Sequence, residues 1–240
     1  MSERIENKDW TDAHFRNISF MGARMRDVDF MNAKISGRID GLVINDLDIG
    51  ALFHQEIDRR HPERKKLFGA DPASMRVGVD IVLSQLEPTW ERARKLTEEQ
   101  RNQRVDDEWS VVETIRHLVF AFDAWIKRAL LGEDDPFDPI ALPPTFLPPT
   151  ALGMSCDPDA KPSFEEALAV WNDRVTLLNE IVDALTPEDL ERTIVTKGDG
   201  YPPPGHETKV IGPLWTIIEE SWWHNRFMNR DLDVIESGSE

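Results

Sequence analysis

The stretch EWSVVETIRHLVFAFDAW, residues 108–125, carries the clearest helix signal in the chain. Ser110 followed three residues later by Glu113 forms a capping box, in which the serine accepts a hydrogen bond from the backbone N–H of Glu113 and the glutamate reaches back. Apolar residues continue at helical spacing to Gly132, a typical C-terminal stop. We therefore predict one long helix from Ser110 to Gly132, and we interpret Glu113 as a structural cap.

Three more segments have the apolar spacing of long helices, at residues 73–98, 163–184 and 210–235. Proline-rich loops over residues 133–162 and 196–209 separate them, and we expect these loops to close over a substrate. Four helices of about 20 residues joined by long loops predict a mainly α protein built as a four-helix bundle.

The N-terminal part of the chain has a different period. Residues 13–35 repeat every five positions, with Phe15, Phe20, Met25, Phe30 and Ile35 in one phase. This spacing resembles pentapeptide repeats, whose chain winds into a right-handed β-solenoid. Terminal repeats need a partner that covers their ends, so the segment packs on the rest of the molecule or forms the contact of a homodimer.

The predicted domain organisation follows from these patterns. Residues 1–50 form a short pentapeptide-like β-solenoid segment. Residues 51–72 form a connecting helix and linker, and the helix should end before Pro62 because the residue preceding proline avoids helical backbone angles. Residues 73–240 form the four-helix bundle.

Composition and charge limit the classes of binding partner and the cellular compartment that we expect. The chain has 240 residues with 28 Lys and Arg against 45 Asp and Glu, a net charge of -17 that argues against nucleic acid as a partner. The single cysteine, Cys156, excludes an intramolecular disulfide and a zinc site built from several thiolates, and we interpret it as a solvent-exposed loop thiol. A charged N-terminus and the lack of long apolar runs predict a cytoplasmic protein without a membrane partner.

Two of the six histidines, His117 and His224, fall within predicted bundle helices, and Glu220 precedes His224 by one helical turn. Spacing alone leaves open whether Glu220 and His224 edge a metal site or form an ordinary polar pair on a helix. If His117 converges on them, two imidazoles and a carboxylate form a three-ligand cation site with an open position. Such a set suits Zn²⁺ best, and iron, nickel and manganese also fit.

Residues 108–125 also resemble the second-helix signature of the DinB-like metal-binding superfamily, through Trp109, Ser110, Glu113 and His117. The family's fourth helix usually supplies two histidines four residues apart, followed by an arginine. In EESWWHNRF, residues 219–227, Glu220 stands in place of the first histidine, His224 matches the second and Arg226 follows. A His, Glu, His set resembles the mycothiol-dependent maleylpyruvate isomerase branch, and the resemblance covers about residues 73–236.

The resemblance implies a metal-dependent enzyme, an S-transferase or isomerase. In it a zinc-type ion held by His117, Glu220 and His224 activates a low-molecular-weight thiol such as mycothiol for attack on an electrophilic small molecule. The alternatives are a metal-dependent hydrolase that activates water, and a non-catalytic stress-response or binding protein with a structural or vestigial metal site. Arg226 points away from the ligand face of an ideal helix, and Asp231 is expected to cap or to pair with Arg230 or another arginine of the bundle.

Overall fold

The computed structural model describes residues 5–238 of the chain. The chain divides into two compact units, Met1–Asp40 and Gly41–Glu240. This division lies ten residues before the predicted end of the pentapeptide-like segment at residue 50, and the predicted boundaries at residues 50 and 72 stay predictions.

The backbone of the first unit repeats every five residues. Positive φ angles occur at Asn7, Asp12, Asn17, Gly22, Asp27, Asn32 and Gly37. Glycine, asparagine and aspartate are the residues that adopt such angles most readily, which explains their regular placement. No helix or strand forms in residues 5–40, and no β-solenoid is found there. The five-residue period of the sequence is therefore a period of turns in this unit.

The second unit is mainly helical, as predicted. Its helices are α1 (Ile49–Arg60), α2 (Pro72–Arg94), α3 (Glu98–Arg101), α4 (Val111–Phe122), α5 (Phe164–Ala184), α6 (Pro187–Glu191) and α7 (Ile211–Ser237). Two 3₁₀ turns lie at Pro62–Lys66 and Pro149–Leu152. The strands pair antiparallel as β1 (Val43–Ile44) with β2 (Leu47–Asp48), and β3 (Thr193–Val195) with β4 (Glu207–Lys209).

The α4 helix begins at the predicted capping box. The Glu113 carboxylate accepts from the Ser110 backbone N–H at 2.9 Å, and the Ser110 hydroxyl accepts from the Glu113 N–H at 3.3 Å. The predicted single helix changes type at Asp123, where a π-helix (Asp123–Leu130) follows α4 directly. Hydrogen bonds five residues apart widen each turn, and apolar spacing in the sequence does not report this change.

The long helices pack through a shared apolar core. The α4 helix contacts α5 and α7, and α2 contacts the same two helices. Fully buried side chains in these contacts include Ile115, Leu118, Leu168, Trp171, Leu214, Ile217 and Leu232. Among the tryptophans, Trp171 and Trp222 are buried in this core, while Trp125, Trp215 and Trp223 are partly buried against it.

Two predicted segments differ in the structure. The helix predicted at residues 73–98 ends at Arg94, and α3 starts separately because Thr97 and Gln100 form a capping box of their own. The loop over residues 196–209 is framed by β3 and β4, strands too short for period-two alternation to appear in the sequence. The α1 helix ends at Arg60, ahead of Pro62 as expected.

Among the described helices, none combines the length and the apolar character needed to cross a bilayer.

Candidate metal centre

Three polar side chains from two helices meet between α4 and α7. One ligand atom from each of His117, Glu220 and His224 lies within 4.8 Å of the others, and among the described residues this is the only such group of three or more potential ligands. Glu220 Oε2 is 3.1 Å from His224 Nε2 and 3.6 Å from His117 Nε2. The structure thus brings together the three residues selected from the sequence. Their role as metal ligands stays a prediction.

The helices supply these residues in two ways. Glu220 and His224 are four residues apart on α7, so the helical repeat alone places them on one face. His117 comes from α4, and it reaches Glu220 only because α4 packs against α7. The side chain of His117 is buried, whereas that of Glu220 is 35% exposed.

A backbone carbonyl sets the orientation of the His117 ring. His117 Nδ1 lies 3.0 Å from the carbonyl oxygen of Leu142. Since a carbonyl can only accept, Nδ1 carries a hydrogen, and Nε2 faces Glu220. Histidines that bind metals nearly always donate their second ring N–H in this manner, which fixes both the tautomer and the ring orientation.

The contacts of Glu220 favour its ionised form. Within residues 5–238, the ion-pair contacts of Glu220 are with the two imidazoles and with no lysine or arginine. Burial opposes ionisation of Glu220, but the contacts with His117 and His224 outweigh it and hold the pKa of the carboxyl well below its usual value. Burial lowers the pKa of His224, against the opposing effect of Glu220. An ionised carboxylate beside a neutral imidazole is the donor set that a divalent cation prefers.

Aromatic rings surround the imidazoles. The Trp109 ring centroid is 4.4 Å from that of His117 and 6.0 Å from that of His224. Phe120 lies 6.0 Å from His117, and Phe227 lies 5.8 Å from His224. These contacts place the donor atoms in apolar surroundings, where electrostatic interactions are stronger than in water. These aromatic contacts were not predicted from the sequence. The available signal was the position of Trp109 directly before the helix cap.

Glu113 and Asp231 lie outside the group of three. Glu113 serves the cap of α4 and forms a close ion pair with Arg104, as its interpretation as a structural residue requires. Asp231 Oδ1 accepts from Arg230 Nε at 2.7 Å, the pairing expected from the sequence. Both carboxylates are therefore occupied by local structure.

Arg226, the arginine that follows His224, faces another part of the molecule. Its guanidinium group contacts the imidazole of His61 and lies 5.0 Å from the ring centroid of Trp222. It thus ties α7 to the segment after α1, and it does not contact the candidate ligands. This agrees with its predicted direction on the helix.

The expectation that Cys156 is an exposed loop thiol is wrong. The residue is only 6% exposed and packs in the hydrophobic core. Burial raises the pKa of the thiol to about 11, so it stays protonated at neutral pH and makes a poor nucleophile. The proline-rich loop around it folds against the helices, which the sequence of the loop did not reveal.

Comparison with known proteins agrees with the mainly helical fold. The family model described as the DinB superfamily matches residues 84–228, more than half of the chain and a range that includes all three candidate ligands. No curated protein and no solved structure was found to match the chain.

Proposed function

We propose that this chain, which belongs to the DinB superfamily, is a metal-dependent enzyme that uses a low-molecular-weight thiol. In this proposal His117, Glu220 and His224 hold a divalent ion, with zinc the best fit to the donors. The thiol, mycothiol or a related compound, is transferred to an electrophilic small molecule or promotes its isomerisation. The observation that carries the proposal is the convergence of three ligand atoms within 4.8 Å.

The donor set fits a catalytic ion better than a structural one. Two imidazole nitrogens and one carboxylate oxygen leave at least one position for an exogenous ligand, whereas structural zinc sites are closed by four protein ligands. When bound, an ion of this kind lowers the pKa of the thiol or water that it holds, which supplies a nucleophile at neutral pH.

The residues around the centre have separate roles in this proposal. The Leu142 carbonyl holds the hydrogen of the neutral His117 ring on Nδ1, which makes Nε2 the nitrogen that can bind a metal. The negative charge of Glu220 offsets the charge of the cation. The rings of Trp109 and Phe120 exclude water and offer faces on which a sulfur atom packs favourably. These apolar faces support a thiol as the ligand at the open position.

The finer features of the fold belong to the same proposal. We assign the four packed long helices to a DinB-type four-helix bundle, supported by the pairwise contacts of α2, α4, α5 and α7. We assign the first unit to a pentapeptide-like segment that forms a homodimer contact. Its five-residue backbone period supports the first part, and the half-exposed rings of Phe15, Phe20 and Phe30 support the second. A cytoplasmic location completes the proposal.

Metal content by elemental mass spectrometry on untagged protein tests the metal site. Near-stoichiometric metal is expected in wild type, and its loss is expected in His117→Ala and Glu220→Ala. Glu219→Ala is the matched control, because this neighbouring glutamate is 48% exposed and pairs with Arg64 at 3.6 Å. Wild-type protein that stays free of metal after reconstitution with zinc, iron and nickel would overturn the proposal.

A turnover assay of the metal-loaded protein tests the thiol. Low-molecular-weight thiols are offered together with electrophilic acceptors, and loss of free thiol or isomerisation of the acceptor is measured. Turnover that requires Glu220 supports the proposed reaction. Hydrolysis of esters or amides without thiol would replace it with the hydrolase alternative, and metal binding without turnover would leave a binding protein.

A further inference from the structure

The loop segment over residues 138–142 reaches the candidate metal centre through a single atom. The carbonyl oxygen of Leu142 is the partner of His117 Nδ1 at 3.0 Å. Residues 138–142 form neither a helix nor a strand. Their position must therefore come from contacts with other parts of the protein.

Arg116 holds the part of this segment nearest Leu142, while Asp123, Arg174 and Asp157 hold Asp138 and Pro139. Arg116 is 5% exposed, and its Nε donates to the Ile140 carbonyl at 2.7 Å. Its Nη2 donates to the carbonyls of Asp157 and Pro158 at 2.9 and 3.0 Å. The Arg116 carbonyl accepts from the Leu142 N–H at 3.0 Å. Arg116 thus holds the peptide on either side of Ala141 and anchors a second part of the same long loop.

The geometry makes Arg116 act on its neighbour indirectly. Consecutive residues on a helix point about 100° apart, so the guanidinium group and the imidazole face different directions. The connection between them runs through the loop, from the guanidinium to Ile140 and from Leu142 to His117. A planar guanidinium with several fixed donors suits this task, because it binds three carbonyls at once.

We propose that Arg116 is a positioning residue for His117. By holding residues 140–142, it places the Leu142 carbonyl where it keeps the hydrogen on Nδ1 and directs Nε2 toward Glu220. The effect on metal affinity rests on the proposed function, whereas the effect on the tautomer does not.

The test compares Arg116→Met with Arg128→Met. Arg128 is a matched control because it is equally buried and donates to three carbonyls, those of Asp134, Gly198 and Pro202, outside residues 138–142. ¹⁵N NMR of histidine-labelled, metal-stripped protein reads the His117 tautomer. Competition with a chromophoric chelator reads the zinc dissociation constant.

We expect wild type and Arg128→Met to keep the hydrogen on Nδ1, and Arg116→Met to show a mixture of tautomers. Zinc affinity should fall about 10- to 100-fold in Arg116→Met, the range found when partners of metal ligands are removed. Arg116→Lys should recover part of both properties, because one ammonium can still donate to the Ile140 carbonyl. If Arg116→Met does not fold, Arg116→Gln takes its place.

Two results would overturn the proposal. One is a wild-type His117 with its hydrogen on Nε2, and the other is an equal change in tautomer and affinity in the Arg116 and Arg128 variants, which would reflect general destabilisation. Wild-type protein that binds no zinc would count against the proposed function alone, because the tautomer comparison would still decide the role of Arg116.

Discussion

Two carboxylates, Asp123 on the π-helical continuation of α4 and Glu220 on α7, have opposite surroundings. Asp123 is fully buried, and its carboxylate accepts from Arg174 at 2.8 and 3.3 Å and from the Asp138 N–H at 2.9 Å. Glu220 faces two imidazoles instead of a guanidinium. The Arg174 guanidinium is a permanent cation and neutralises the charge of Asp123. The partners of Glu220 are imidazoles, which are neutral when they bind a metal.

The difference shows how to separate structural from functional carboxylates. A guanidinium matched to a carboxylate occupies its lone pairs and leaves no position for an ion. A neutral imidazole keeps one nitrogen lone pair available for a metal ion. Burial raises the pKa of Asp123 against the opposing effect of Arg174, whereas contacts with imidazoles lower that of Glu220. We therefore interpret the Asp123 cluster as a structural anchor and the Glu220 cluster as the reactive one.

The largest expected effect is on the structural cluster. Asp123→Ala leaves Arg174 and the Asp138 N–H without their main partner, so the free energy of unfolding should fall by about 3 to 5 kcal/mol. Metal content should not change. Glu220→Ala should do the reverse, abolishing metal binding while changing the stability of the metal-free protein by less than about 1 kcal/mol. Urea unfolding and elemental analysis measure both, and similar stability losses would erase the distinction.

Zinc should stabilise the wild-type protein through the Glu220 cluster. At about 100 times the dissociation constant, linkage predicts a gain of about 2.7 kcal/mol in the free energy of unfolding. Thermal unfolding with and without zinc measures this gain. It should vanish in Glu220→Ala and persist in Glu219→Ala, and persistence in both variants would locate the ion elsewhere.

Glu113 tests whether a carboxylate of the family signature is structural. Burial opposes its ionisation, but Arg104 and the Ser110 backbone lower its pKa overall. A depressed carboxyl pKa stabilises the fold above the unfolded-state value and loses this effect as pH falls through the folded-state value. Glu113→Gln should therefore cost about 0.5 to 1 kcal/mol at pH 7 and progressively less in acid, with metal content unchanged. A loss of metal would instead make Glu113 part of the centre.

The smallest effect concerns Cys156, which is buried in the hydrophobic core. A rise in thiol pKa from 9.0 to about 11 lowers the thiolate fraction about 100-fold below pH 9. Alkylation by iodoacetamide at pH 8 should therefore be slow in the native protein and fast in urea, as mass spectrometry can follow. Fast native labelling would restore the exposed-thiol interpretation.

Local signals in the sequence predicted the helices well. The capping box at Ser110 marked the start of α4 to within one residue, because its hydrogen bonds join residues three apart. The helix predicted from residue 163 likewise begins within one residue of the start of α5. The π-helix, the break before α3 and the β3–β4 pair were not predicted. Each depends on contacts with distant segments or on signals shorter than a helical or strand period.

The sequence by itself determined the mainly helical class, the family, and the shared face of Glu220 and His224, because helical spacing and capping are local properties. Only the tertiary structure decided that His117 reaches these two residues, that the Leu142 carbonyl orients its ring, and that Trp109 covers the imidazoles. Those contacts join segments far apart in the chain, and their geometry depends on how the helices and the loop pack.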